Sequence, residues 1–215
     1  MTLGEIDMIK RIMKMIIGVT IASFAVSCTI KAGLGVFPGT SANIALSNWT
    51  GITIGQASIV VELIMLAIAT KMKEGVGLTS IVNAIYGGVM TDVFNLIIPS
   101  NPLVILGLPL MIVGWCIMDK AEFGNCGSNM LTTAILKRRN KGIGFIRTAI
   151  ECGYLLVGLL GARQSVTVFT LILACGFGYM MKLIYKIMKH KPEEMHHQYI
   201  IKGKSKVGDT SEVLK

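Results

Sequence analysis

Long apolar runs separated by short polar segments recur along the whole chain. A helix needs about 20 consecutive apolar residues to cross the roughly 30 Å hydrocarbon core of a bilayer. The pattern predicts an all-α polytopic membrane protein with six transmembrane helices. Runs close to the required length occur at residues 12–30, 54–71, 76–98, 102–118, 143–161 and 166–188.

The composition agrees with a membrane protein. Hydrophobic residues make up 53% of the 215 residues and charged residues 15%, whereas soluble domains carry about 25% charged residues. The first run follows basic residues and contains AVSC, residues 25–28, which faintly resembles a lipoprotein cleavage site. Ala25 stands where such a site has a large aliphatic residue, and the run is long enough to cross a bilayer. We therefore expect a retained helix rather than a cleaved signal.

Basic residues predict the orientation of the chain. Lysine and arginine concentrate before the first run, between the second and third, between the fourth and fifth, and after the sixth. With six spans all four clusters fall on one side, and the positive-inside rule places that side, with both termini, in the cytoplasm. The opposite side holds mainly Lys31 and Arg163. This asymmetry and contact with anionic lipid account for the net charge of +9 without a nucleic acid partner.

The chain is internally duplicated. When the sequence is shifted by 89 positions against itself, lysine, glycine and glutamate residues coincide without a gap; for example, Lys31 meets Lys120 and Glu62 meets Glu151. Each unit contains three predicted spans, an odd number, so the two units cross the bilayer in opposite directions, as in the inverted repeats of secondary transporters. The predicted organisation is a cytoplasmic amino terminus at 1–11, one repeat at 12–99, a second repeat at 100–188 and a flexible cytoplasmic tail at 189–215.

The connection between the first and second span of each unit predicts a short, interrupted helix. It reads KAGLGVFPGTSANIALSNWTGITIG in the first unit, residues 31–55, and KAEFGNCGSNMLTTAILKRRNKGIG in the second, residues 120–144. Glycines and small residues come first, and glycine permits backbone angles that other residues rarely adopt. Short broken or interfacial helices are expected at residues 42–47 and 131–136.

Polar residues precede both short helices. Thr40 or Ser41 is expected to cap the first and Ser128 or Asn129 the second, because short polar side chains bond the free amides of a first helical turn. In one interpretation the amino ends dip toward the middle of the bilayer, so that Thr40 and Asn129 approach the anionic group of a solute. In the other interpretation both segments are surface connectors at the membrane interface.

Motifs in the first unit carry a family resemblance. The run KAGLGVFP, followed by LSNWTGITIGQASIVVELIM and then IVNAIYGGVMTD, resembles the bacterial membrane proteins of the YczE/YitT type over about residues 10–190. The resemblance implies a duplicated three-helix unit in the bacterial plasma membrane and assigns no substrate. Thr40 and Asn129 stand where the family pattern has acidic residues, and Gly127 where it has a proline. The matching residues are Gly35, Pro38, Thr50, Gly51, Gly55, Asn83, Ala84, Gly88 and Asp92.

Two glutamates interrupt equivalent apolar runs, Glu62 in IVVELIM and Glu151 in TAIECGY. At roughly 1.5 Å per residue each lies about 12 Å from the start of its helix. A charge near the bilayer centre costs about 2.5–3.5 kcal/mol and normally faces a cavity or a partner. The functional interpretation is a proton or cation relay, or a ligand for an amine-bearing solute. The structural interpretation is a neutral, hydrogen-bonded acid that joins helices.

The two acids differ in their neighbours. Arg147 precedes Glu151 by four residues, within reach on one helix face, and is expected to neutralise it. Ser58 holds the matching place before Glu62, so we expect Glu62 to be protonated in at least one working state. Further polar candidates on the third span are Asn83 and Asp92.

The sequence favours a secondary transporter, importer or exporter, of a small organic solute, with H+ or Na+ as the coupling ion. The alternative is a non-transport membrane protein, such as a solute-binding subunit or a scaffold or accessory factor for a cytoplasmic enzyme. No paired aspartates, serine–histidine pair or HExxH arrangement supports an enzyme. The five cysteines lack metal-ligand spacing, so neither a metal nor a cofactor is expected. The expected partners are the lipid bilayer and the solute, and a homodimer is compatible with the sequence.

Overall fold

The computed structural model describes residues 3–100, 104–121, 123, 126–138, 143–176 and 179. All regular structure within these ranges is helical. A short 3-10 turn, Arg163–Ser165, follows the last long helix, and residues 168–176 are helical again. The α-helices, in chain order, are α1 (Leu3–Ala32), α2 (Pro38–Thr50), α3 (Ile54–Lys71), α4 (Leu78–Ile97), α5 (Val104–Asp119), α6 (Gly127–Leu136) and α7 (Ile143–Gly161).

Several of these helices have the length and apolar character of membrane spans. Among the described residues, four helices are long and apolar enough to cross a membrane. The predicted all-α membrane class is therefore confirmed. α1 begins at Leu3, ahead of the run predicted from residue 12, and the predicted tail at 189–215 lies outside the described residues. The four candidate spans are Glu5–Ala32, Ile54–Lys71, Leu78–Ile97 and Gly144–Gly161.

α1 packs between α4 and α5. Its contact with α5 is close because glycines meet there: a Cβ on Gly114 would lie 2.9 Å from backbone atoms of Gly18 and Ala22. Small residues at such crossings let helices in a membrane approach one another. On the α4 side, Ser23 Oγ donates to the Gly87 carbonyl oxygen over 3.0 Å. α1 thus joins helices from both halves of the chain.

Both predicted short helices are present, and both begin earlier than expected. α2 starts at Pro38 rather than at residue 42, and α6 starts at Gly127 rather than at residue 131. The predicted capping residues were wrong: the caps are Phe37 and Cys126, which make no side-chain cap hydrogen bond. Proline has the φ angle of a first helical position, which lets α2 start ahead of the polar residues. The residues expected as caps, Thr40, Ser41, Ser128 and Asn129, all lie inside the helices.

α6 packs along the second half of α3. The Gly127 amide, at the start of α6, donates to Oε2 of Glu62, which lies in the middle of α3. Lys137, after the end of α6, makes an ion pair of 2.9 Å with Glu74, just beyond the end of α3. α6 therefore starts at the midpoint of α3 and ends level with its carboxyl end.

α2 packs along the second half of α7 in the same way. Near the start of α2, a Cβ on Gly39 would lie 3.9 Å from the ring of Tyr154, in the middle of α7. Near the end of α2, Asn48 Nδ2 donates to the Gly161 carbonyl oxygen over 2.8 Å. The first turns of both short helices are buried, so the surface-connector interpretation is wrong. Both amino ends lie at mid-height of the long helices.

Candidate functional site

A cavity of about 130 Å³ lies where the amino ends of α2 and α6 approach α3 and α7. Each of α1 to α7 contributes to its lining. A protein cavity of about 150 Å³ binds benzene, so this one has room for a solute of about six non-hydrogen atoms. Of the residues singled out in the sequence, the cavity brings together Thr40, Glu62, Asn83, Arg147 and Glu151.

Glu62 lines the cavity and holds the start of α6. Its Oε2 accepts the N–H of Gly127 over 2.7 Å. The first amides of a helix lack partners within the helix and carry partial positive charge, so a carboxylate is stabilised there. Cys126 provides no side-chain cap, and Glu62 provides the acceptor from another helix instead. An acid is tolerated in this apolar run because it has both a hydrogen-bond donor and a polar cavity beside it.

Arg147 and Glu151 form the ion pair that their spacing predicts. Arg147 Nη2 lies 2.7 Å from Glu151 Oε1, and the two side chains are 4% and 3% exposed. Residues four apart share one helix face, and here that face of α7 borders the cavity. Buried charges require close geometry with a counter-charge to be tolerated. The pair therefore adds two charges of opposite sign to the cavity wall.

The amino end of α2 borders the same cavity. Thr40 and Tyr154 line it and are only 5% and 7% exposed. Neither hydroxyl is hydrogen-bonded to another residue in the part of the chain that the structure describes, and the same holds for the backbone amides of Gly39 and Thr40. This end of α2, together with Tyr154 of the adjacent α7, therefore presents several hydrogen-bond donors to the cavity.

The other predicted site residues divide between the cavity and its surroundings. Asn83 lines the cavity from α4, whereas Asn129 is buried in α6 without lining it. Asp92 lies outside the lining, and its carboxylate accepts hydrogen bonds from Thr53 Oγ1 at 2.5 Å and from the Gly55 amide at 2.7 Å. Asp92 thereby holds the start of α3. The structure does not bring Asn129 or Asp92 to the cavity.

Three further lining residues, Asn43, Trp115 and Tyr154, did not emerge from the sequence. Asn43 follows Thr40 by three residues and Tyr154 follows Glu151 by three, a spacing that puts side chains on one helix face. Helical periodicity counted from the predicted residues would have found both. Trp115 carries no such signal, because α5 contains none of the residues predicted for the site and packs mainly against α1.

Cys126 contributes a thiol to the lining, just before α6. A free cysteine thiol has an ordinary pKa of about 8.5 and is mostly protonated at neutral pH. The thiolate is the form that attacks electrophiles and binds metals. Cys126 therefore contributes a neutral group to the cavity at physiological pH.

Comparison with known proteins identifies the family. A family model described as a family of unknown function (DUF6198) matches residues 9–199. The chain belongs to this family. It is 25% identical over 169 residues to the "Uncharacterized membrane protein YczE" of Bacillus subtilis (strain 168), an alignment that covers 73% of this chain and 78% of that protein. The expected resemblance is confirmed, and the protein is a multi-pass helical membrane protein. No solved structure matches the chain.

Proposed function

We propose that this protein is a secondary transporter of a small organic solute in the bacterial plasma membrane. The proposal is carried by one observation: the amino ends of two short helices, α2 and α6, meet at a single cavity between long helices. In transporters built from repeats, interrupted helices direct their amino ends toward a site near the bilayer midplane. Glu62, Arg147 and Glu151 add the ionisable groups that are typical of such sites.

Two inverted three-helix repeats form the proposed transport unit. A shift of 89 positions carries Pro38 to Gly127 and Ile54 to Ile143, which are the first residues of α2 and α6 and of α3 and α7. Each short helix packs on the long helix of the other unit, α2 on α7 and α6 on α3. This correspondence supports the duplication. Movement of one repeat relative to the other would expose the cavity to alternate sides of the membrane.

Six spans with both termini in the cytoplasm complete the proposed topology. α5 and the helical residues 168–176 belong to the fourth and sixth spans. The basic cluster that includes Lys137 then lies in the cytoplasm. α6 has 10 residues, which at 1.5 Å per residue is about 15 Å, half the thickness of the hydrocarbon core. That length suits a re-entrant helix that starts at the midplane and ends at the cytoplasmic surface.

Glu62 is the proposed coupling residue for H+ or Na+. Its carboxylate belongs to the first repeat, and the amide that it accepts, Gly127, belongs to the second. When a proton or a sodium ion binds the carboxylate, its negative charge is neutralised. Its attraction to the partial positive charge at the amino end of α6 is then weaker. Ion binding would therefore loosen a contact between the repeats at the point where they must move.

Uptake into liposomes tests the function. Purified protein is screened against small solutes by thermal shift, and flux of the stabilising solutes is measured with and without a pH or sodium gradient. Saturable uptake that responds to the gradient supports transport. Binding without flux under every gradient would assign the protein to the non-transport class, as a solute-binding subunit or an accessory factor for a cytoplasmic enzyme.

A further inference from the structure

The two short helices differ at their amino ends. At the start of α6, the Gly127 amide is bonded to Glu62. Pro38 holds the corresponding position in α2, and proline has no amide hydrogen. The corresponding glutamate, Glu151, is paired with Arg147 instead. α6 therefore has an internal carboxylate at its start, whereas α2 has none.

The amino end of α2 nevertheless offers donors to the cavity. Gly39 and Thr40 contribute backbone amides, and Thr40 and Tyr154 contribute hydroxyls. None of these donors is hydrogen-bonded to an acceptor in the described ranges. Thr40 and Tyr154 are each more than nine-tenths buried, and buried polar groups in native proteins are almost always hydrogen-bonded. A ligand with two acceptor oxygens on one carbon would satisfy several of these donors together.

We infer that the amino end of α2 is the anion subsite of the cavity and binds the carboxylate of a small monocarboxylic acid. The inference rests on the proposed function only for the claim that the acid is carried across the membrane. Helix amino ends bind anions through their free amides and the helix dipole. Beside this end of α2, Val26, Phe37 and Met111 form an apolar wall that suits a short hydrocarbon chain. A volume of about 130 Å³ suits about six non-hydrogen atoms, the size of butyrate.

The charges of the lining predict a link between this carboxylate and Glu62. Arg147 neutralises Glu151, so an ionised Glu62 leaves one net negative charge among the described lining residues. Cys126 and Tyr154, the other titratable groups that line the cavity, are uncharged at neutral pH because thiols and phenols ordinarily ionise at about pH 8.5 and about pH 10. A second carboxylate in the same buried space is repelled unless Glu62 takes up a proton. Glu62→Gln, which removes the repulsion permanently, should therefore tighten butyrate binding and make its affinity independent of pH.

Tryptophan fluorescence measures binding whether or not the protein transports. The chain has two tryptophans, and Trp49→Phe leaves only Trp115, which lines the cavity. This variant, in lipid nanodiscs, is titrated with butyrate, butyramide and butylamine, which are similar in size and differ in charge. We expect butyrate to bind at least about tenfold more tightly than the other two, because charge-assisted hydrogen bonds are roughly twice as strong as neutral ones. Equal binding of acid and amide, tighter binding of the amine, or no response to any of the three would overturn the inference.

Two valine variants locate the subsite. Thr40→Val removes a donor and is expected to weaken butyrate binding about tenfold, whereas Thr40→Ser keeps the hydroxyl and should retain most of the affinity. Thr132→Val is the matched control, because Thr132 is a buried threonine of α6 whose hydroxyl bonds the Ser128 carbonyl oxygen and which does not line the cavity. Its butyrate affinity should equal that of the parent. An equal loss in both valine variants would contradict the assignment to α2.

Butyrate uptake into liposomes separates this inference from the proposed function. If butyrate binds selectively, Thr40→Val abolishes that binding and no butyrate flux is seen, the subsite is supported and transport of the acid is ruled out. Flux of a different solute that Thr40→Val leaves unchanged, together with a lack of butyrate binding, would support transport and overturn the subsite.

Discussion

The two short helices begin at the same height in the molecule but are held there differently. The first amide of α6 is bonded to Glu62 on α3, whereas α2 begins with a proline and the glutamate of its partner helix is paired with Arg147. Glu62 thus makes a contact between two helices, α3 and α6, whereas the corresponding Glu151 makes an ion pair within one helix, α7. Two glutamates at corresponding positions need not have the same role, because the group available to each decides which helix it binds.

Removal of the Glu151 charge is expected to have the largest effect. Glu151→Gln leaves Arg147 buried without its counter-charge, and breaking a buried pair costs about 3–5 kcal/mol. The arginine side chain can recover part of that loss by extending toward the start of α7. Thermal unfolding in detergent measures the change. The double variant Arg147→Met with Glu151→Gln should recover much of the stability, and a double variant no more stable than the single one would argue for lost packing instead.

The close approach of α6 to α3 predicts the next effect. A Cβ on Gly127 would lie 2.6 Å from Oε2 and 2.9 Å from the backbone oxygen of Glu62, so Gly127→Ala must displace α6 and should cost about 1–3 kcal/mol. Gly153→Ala on α7 is the control, because nothing lies within 4 Å of its added Cβ. The control should be neutral or up to about 1 kcal/mol more stable. Equal melting temperatures for the two variants would show that Glu62 does not hold α6 closely.

Neutralising Glu62 should change stability less and function more. The glutamine of Glu62→Gln keeps a carbonyl oxygen that can accept the Gly127 amide, so the loss of stability should stay within about 1 kcal/mol. Because glutamine binds no proton, uptake in liposomes should lose its response to a pH gradient. Glu74→Gln is the control, since Glu74 pairs with Lys137 away from the cavity lining. If uptake by the Glu62→Gln protein still responds to the pH gradient, the role of Glu62 is structural and it does not couple transport to protons.

The proposed topology of the chain can be tested without a change in stability. Single cysteines are introduced at Ser100 and at Asn140, which lies outside the described residues, in a cysteine-free protein. An impermeant reagent on intact cells should label position 100 and leave position 140 unlabelled until the membrane is permeabilised. Labelling of position 140 alone on intact cells would reverse the proposed orientation, so that α2 would end on the cytoplasmic side.

Sequence reasoning located the long helices better than the site. The predicted runs at 54–71 and 143–161 coincide with α3 and α7, because hydrophobicity over a span is a property of consecutive residues. The starts of α2 and α6 were misplaced because Pro38 and a carboxylate from another helix take the role expected of local polar caps. Asp92 was assigned to the site from its position on a span alone, but it bonds the start of α3.

The sequence by itself determined the helical membrane class, the long apolar helices α3 and α7 and the pairing of Arg147 with Glu151. These features are local or periodic: a helix satisfies its own backbone groups in lipid, and residues four apart share a face. Only the tertiary structure decided the partner of Glu62, since Gly127 lies 65 positions away in the chain and meets it only through the packing of α6 on α3. The donors around Thr40 and Tyr154 converge for the same reason, because a cavity lined by residues of α1 to α7 exists only once those helices have packed together.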